Sequence, residues 1–111
     1  MSDFKRTVIF LSEGSLFLEF ARECFKSEGH DFFDFPNWSE CLGQLEDLKP
    51  ELVLVDFDHF SSEKFLEIDF GKLPVVGFYS ESLESNLQNY SFRKILKKPV
   101  DVLDLVSNCL G

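Results

Sequence analysis

The chain has 111 residues and is 44% hydrophobic, so it can bury a core of its own, and one domain over residues 1–111 is predicted. Its 20 acidic residues exceed its 11 basic residues, which argues against nucleic acid or an anionic membrane as the main partner. The 14 Phe residues exclude a disordered acidic tail, which would have too little apolar surface to bury.

The first half of the chain alternates apolar runs with helical patterns, as parallel strands joined by helices do. In chain order it predicts a strand over 7–11, a helix over 15–26 that Gly29 ends, an edge strand over 32–35, a helix after Asn37 or Ser39, and a strand over 52–55. The second of these helices is expected to bury Cys41, Leu42, Leu45 and Leu48. The last strand (LVLV) is the most apolar run, so it is placed at the sheet centre.

The second half repeats this alternation with shorter helical patterns. In chain order it predicts a short helix over 61–69, a strand over 75–79, a weakly anchored helix over 81–90, a strand over 93–97, and a last helix capped by Asp101. The residues expected to face inward from the first and last of these helices are Phe65, Leu66, Ile68, Val102, Leu103, Val106, Cys109 and Leu110. Five strands alternating with five helices predict a flavodoxin-like α/β three-layer sandwich, whose usual five-stranded parallel sheet has the order 2-1-3-4-5.

Charged residues follow three of the predicted strands, at the edge where such sheets bind ligands. Glu13 follows the first strand, Asp56 the third and Lys98 the fifth. Two neighbouring carboxylates repel each other unless a cation lies between them, so the pair either binds a hard divalent metal or has the pKa of one carboxyl raised. A carboxylate beside a metal and an ammonium is suited to attack phosphorus, because both cations offset charge on a transferring phosphoryl group.

These residues lie in segments that resemble the receiver domains of two-component response regulators, the CheY-like superfamily, of which this chain looks like an atypical member. The similarity spans the chain and is carried by VIFLSEG, PELVLVD, PVVGFYS and ILKKPV. It implies that Asp56 is the phosphoacceptor and that Lys98 contacts the phosphoryl group. It also implies that the Lys98–Pro99 peptide bond is cis. It also implies a magnesium ion bound by Glu13, Asp56 and the backbone carbonyl of Asp58.

The resemblance implies a phosphorelay protein in signal transduction and not an enzyme, beyond at most removing its own phosphate. A histidine kinase or phosphotransfer protein would supply the phosphoryl group. The change would then reach a downstream protein target through the fourth predicted helix, the fifth strand and the last helix. Neither nucleic acid nor a membrane is expected as a partner.

Several positions depart from the receiver pattern. Ser12 replaces the first of two acidic residues usual after the first strand, which predicts weak magnesium binding. The switch hydroxyl position aligns with Tyr79, while Ser80 lies one residue later and can offer a hydroxyl to the phosphate. Ile95 stands where a mobile aromatic residue is usual. These departures favour an alternative, a phosphorylation-independent pseudo-receiver that acts as a protein-interaction module.

A third interpretation comes from LVLVDFD, which also fits the opening motif of haloacid-dehalogenase phosphatases. In that family Asp56 would be the nucleophile and Asp58 the general acid. The other motifs of those enzymes are absent from the sequence, so the signalling interpretations are preferred.

Cysteine and histidine form no metal-ligand pattern. Cys24, Cys41 and Cys109 are odd in number, widely spaced and in apolar surroundings, which predicts packed thiols and a cytoplasmic location. His30 and His59 fall in different predicted loops, where solvent-exposed histidines are expected.

Overall fold

The computed structural model describes residues 5–110, and its strands form one parallel sheet in the order β2-β1-β3-β4-β5. The strands are β1 (Thr7–Leu11), β2 (Asp31–Phe35), β3 (Leu52–Asp56), β4 (Val75–Tyr79) and β5 (Lys94–Lys97). The predicted fold class, strand order and central position of β3 are confirmed. All of β3 is buried, as expected for a strand with helices on both faces.

Most helices are shorter than the sequence patterns predicted. They are α1 (Leu16–Ser27), α2 (Trp38–Leu42), α3 (Leu45–Leu48), α4 (Ser62–Leu66) and α5 (Leu105–Leu110), with a 3-10 turn over Ser85–Leu87. Only α1 matches its predicted length. Within residues 5–110, none of the helices is long and apolar enough to cross a membrane.

Two predicted helices are not continuous helices in the structure. The helix expected after Asn37 is divided at Gly43 into α2 and α3, because glycine is a poor helix former, and Leu42 on its predicted buried stripe is 53% exposed. Residues 81–90 form only the 3-10 turn. Few apolar side chains were available there to anchor a longer helix against the sheet.

Three residues predicted to face inward are exposed instead. Leu66 is the last residue of α4 and is 41% exposed. Val102 and Leu103 lie in a turn before α5, where they are 54% and 82% exposed. Because α5 begins only at Leu105, that residue is buried in their place.

The core lies on both faces of the sheet. On one face α1 and α5 pack against Phe10 and Phe78. On the other face an aromatic cluster covers the sheet where the helices are short; its members are Phe57, Phe65, Phe70, Tyr90 and Phe92. Phe65 is fully buried at the centre of these rings. The abundance of Phe therefore compensates for the missing helical turns.

Candidate functional site

The turn after β1 brings the hydroxyl of Ser15 to the end of β3. Within this turn Ser12 is buried, and its hydroxyl oxygen accepts the Gly14 N–H at 3.2 Å. Gly14 has φ +112°, a conformation that other residues adopt only with strain. The chain then enters α1 at Ser15, whose hydroxyl oxygen accepts the Leu18 N–H at 3.1 Å as a helix cap. The same hydroxyl donates to Asp56 Oδ2 at 3.3 Å.

Asp56 is the last residue of β3 and is 0% exposed. Its Oδ1 accepts hydrogen bonds from Lys98 Nζ at 2.8 Å and from the Asp58 N–H at 3.1 Å. With Ser15 on Oδ2, both carboxylate oxygens have donors. A buried carboxylate needs such partners, because leaving water without them is costly.

Lys98 is held by three groups, two from the end of β3 and the turn after it and one from α1. Its ammonium lies 2.8 Å from Asp56 Oδ1, 2.9 Å from Asp58 Oδ2 and 4.4 Å from the ring centre of Phe17. Its N–H donates to the Tyr79 carbonyl at 2.8 Å, and the Lys98–Pro99 bond is cis, as predicted. Only 14% of the side chain is exposed, so these charges interact more strongly than surface ion pairs.

The Asp58 side chain takes a part that the receiver interpretation did not predict, since that interpretation expected only its backbone carbonyl at the site. The carboxylate accepts hydrogen bonds from the Lys98 ammonium, the Ser80 hydroxyl and the Ser80 N–H, the last at 3.3 Å. Burial alone would raise the pKa of Asp58. Hydrogen bonds from Ser80 and Lys98 outweigh burial and hold this pKa below its ordinary value.

Of the predicted magnesium ligands, Asp56 and Asp58 meet at Lys98, and Glu13 lines a groove that Asp58 also lines. Glu13 is exposed, and its backbone N–H donates to the His59 carbonyl at 2.9 Å. In the part of the chain that the structure describes, no three His, Cys, Asp or Glu residues are grouped so that they could hold a metal. The cation between Asp56 and Asp58 is the Lys98 ammonium. A divalent metal bound by Asp56 would therefore share that carboxylate with Lys98.

The two predicted switch positions lie on adjacent strands. Tyr79 ends β4 and is half-buried, and its carbonyl receives the Lys98 N–H. Ile95 in β5 packs its Cδ1 atom over Gly77, at 2.8 Å from where a Cβ on that glycine would lie. Ser80, not Tyr79, supplies the hydroxyl that reaches Asp58.

Solved structures of response regulators share this arrangement of strands and helices. The response regulator receiver protein from Burkholderia phymatum has a TM-score of 0.74 and 17% identity, covering 94% of this chain and 91% of that one. The chain has the receiver fold. Two further solved structures are similar to the chain over most of its length. A response regulator from Thermotoga maritima has a TM-score of 0.73 and 17% identity, covering 95% and 94% of the two chains.

The third is the CheY-like response regulator receiver domain protein from Methanospirillum hungatei JF-1. It has a TM-score of 0.71 and 17% identity over 94% of this chain and 90% of that one. By sequence, no protein-family model and no curated protein matches the chain. The similarity to receiver domains therefore shows the fold, and the function has to be argued from the site.

Proposed function

We propose that this protein is a signalling receiver that accepts a phosphoryl group on Asp56 from a histidine kinase or phosphotransfer protein. It then signals to a downstream protein through protein contacts. The observation that carries the proposal is the pair formed by Asp56 at the end of the central strand and Lys98, with 2.8 Å between Nζ and Oδ1. An ammonium fixed beside a carboxylate nucleophile offsets the charge of an incoming phosphoryl group.

The proposed transfer begins with attack of one Asp56 oxygen on phosphorus. The P–N bond of the donor phosphohistidine breaks, its electron pair stays on the imidazole, and an acyl phosphate forms. Among residues 5–110, Oδ2 accepts one donor, the Ser15 hydroxyl, whereas Oδ1 accepts two, so Oδ2 is the less engaged oxygen. Since Asp56 is 0% exposed, a donor reaches it only when groups around its carboxylate move aside.

Magnesium enters the proposal as a weakly bound ion. Glu13 and the carbonyl of Asp58 would supply ligands beside Asp56, but Ser12 offers no charge and Lys98 already bridges the two aspartates. Trp38 and Glu13 line the same groove of about 560 Å³. A magnesium titration followed by Trp38 fluorescence therefore tests this part. Millimolar binding supports it, and an unchanged signal contradicts it.

The decisive experiment treats the purified protein with acetyl phosphate and magnesium and reads its intact mass. We expect one added phosphoryl group on the wild type and none on Asp56→Asn. Asp47→Asn is a matched control, because Asp47 is an exposed aspartate on α3. An unmodified wild type, or a modification that persists in Asp56→Asn, would overturn the proposal.

A second candidate is the phosphorylation-independent pseudo-receiver. It is favoured by the complete burial of Asp56 and by the Asp58 carboxylate, which already engages Lys98 and Ser80. In this case partner binding would be equal for wild type and Asp56→Asn, and acetyl phosphate would modify neither. For either candidate the output face would differ from the one predicted, since residues 81–90 contain a 3-10 turn in place of the fourth helix.

A cytoplasmic location is part of either proposal. Its support is that Cys24, Cys41 and Cys109 are free and buried, as suits a reducing compartment.

A further inference from the structure

Asp58 joins the ends of two neighbouring strands. Its Oδ2 contacts the ammonium of Lys98, just after β5, and the hydroxyl of Ser80, just after β4. Its Oδ1 accepts the Ser80 backbone N–H at 3.3 Å. One carboxylate thus satisfies an ammonium, a hydroxyl and an amide that all point to the same place.

We infer that the Asp58 carboxylate is an internal anion that occupies Lys98 and Ser80, and so holds the ends of β4 and β5 together without a phosphoryl group. Three convergent donors are the usual surroundings of a bound oxyanion. Here the oxyanion is supplied by the chain itself, two residues after Asp56.

Exposure and charge distinguish this contact from an ordinary surface ion pair. The Asp58 side chain is 29% exposed and that of Lys98 is 14% exposed, so water screens the pair only in part. Lys98 is also held by Asp56 and Phe17, which limits the side-chain entropy lost in keeping it near Asp58. Such charge-assisted bonds are stronger than bonds between neutral groups.

The Asp58 carboxylate also affects phosphorylation of Asp56, an effect that rests on the proposed function. A phosphoryl group on Asp56 would need the same Lys98 ammonium and a hydroxyl such as that of Ser80. It would also bring negative charge close to the Asp58 carboxylate. Asp58 therefore competes with the phosphoryl group, and removing its charge favours the acyl phosphate.

The first test is amide hydrogen exchange at Ser80, measured by NMR on the unphosphorylated protein. Asp58→Asn and Asp58→Ala are expected to speed this exchange about tenfold or more, because the amide loses its charged acceptor. Glu63 lines a groove that Asp58 also lines. Glu63→Gln removes an equal negative charge there while leaving the contact of Asp58 with Lys98 in place, and it should leave the exchange rate unchanged. Equal rates in wild type and both Asp58 variants would overturn the inference.

The second test supplies the missing carboxylate from solution. Acetate, compared with chloride at the same ionic strength, should restore Ser80 protection in Asp58→Ala, should leave the wild type unchanged, and should fail in Asp58→Ala combined with Lys98→Met. Acetate acting equally without Lys98 would contradict an anion site built on that ammonium. If Asp58→Ala does not fold, the exchange rate of the Ser80 amide in Asp58→Asn still tests the inference.

The third test measures the yield and lifetime of the acyl phosphate after treatment with acetyl phosphate. Both should be higher for Asp58→Asn than for the wild type. Equal values would refute the competition. If no variant is phosphorylated at all, the proposed function fails, while the exchange and acetate results still judge the internal anion.

Discussion

Ser15 connects the start of α1 to Asp56. Its oxygen accepts the Leu18 N–H at 3.1 Å while its hydroxyl proton is donated to Asp56 Oδ2 at 3.3 Å. One small side chain therefore begins a helix and fills one side of the buried carboxylate. The order of α1 and the environment of Asp56 are linked through this residue.

Ser15→Ala is expected to lower the free energy of unfolding by about 0.5–2 kcal/mol through the lost cap, with an added cost because Asp56 Oδ2 loses its donor. Urea denaturation measures the change. Ser61→Ala is the matched control, because Ser61 caps α4 through the Lys64 N–H at 3.2 Å and has no bond to Asp56. A smaller loss for Ser15→Ala than for Ser61→Ala would contradict the double role.

Lys98→Met is expected to destabilise the fold by about 3–5 kcal/mol, because it leaves the Asp56 carboxylate buried without its cation. Combining it with Asp56→Asn should cost less than the two single changes added together, which a double-mutant cycle by urea unfolding measures. Lys97→Met is the control, since Lys97 is exposed and lacks these partners. Additive effects would mean that the pair carries no coupling.

The sequence predicted the sheet more accurately than the helices that cover it. Buried parallel strands are continuous apolar runs, and β3 and β4 were recognisable for that reason. The helices on the α4 side were not, because aromatic contacts replace them. The ring centres of Phe65 lie 4.7 Å from Tyr90 and 5.7 Å from Phe92, and such long-range packing leaves no periodic pattern to read.

At the site, the Lys98–Pro99 pair and the strand-end position of Asp56 were visible in the sequence. Ser15 was missed, although a serine after Gly14 and before an apolar helix is a recognisable cap signal. Its bond to Asp56 spans 41 positions and depends on the fold. The contact of the Asp58 carboxylate with Lys98 and Ser80 was missed, because the receiver interpretation used only the Asp58 backbone carbonyl and the phosphatase interpretation used the carboxylate as a general acid.

Gly77→Ala is expected to cost about 1–3 kcal/mol, as overpacking of a filled core does. A Cβ at this position would lie 2.8 Å from Ile95 Cδ1 and 2.8 Å from Phe57 Cε2. The Ile95 methyl can turn away, but the Phe57 ring packs edge-on against Phe65 at 5.0 Å. The measurement is the midpoint of urea unfolding.

Gly43→Ala is the control for that change. A Cβ there would meet only the Glu40 carbonyl, at 3.8 Å, and the backbone is already helical. We expect a stability change between neutral and a gain of about 1 kcal/mol. If Gly77→Ala proved equally harmless, β4 and β5 would not be as tightly packed as the structure shows.

The cysteines give a test of core rigidity that is independent of the site. Burial disfavours the thiolate, which raises the pKa of Cys41 to about 11 and that of Cys109 to about 12. Iodoacetamide at about pH 8 should therefore label both only as fast as the core opens, since the thiolate is the reactive form. Cys24 is 7% exposed, against 0% for the other two, and should react first. Intact mass with and without urea follows the reaction, and rapid labelling of Cys109 in the native protein would show that α5 detaches readily from the sheet.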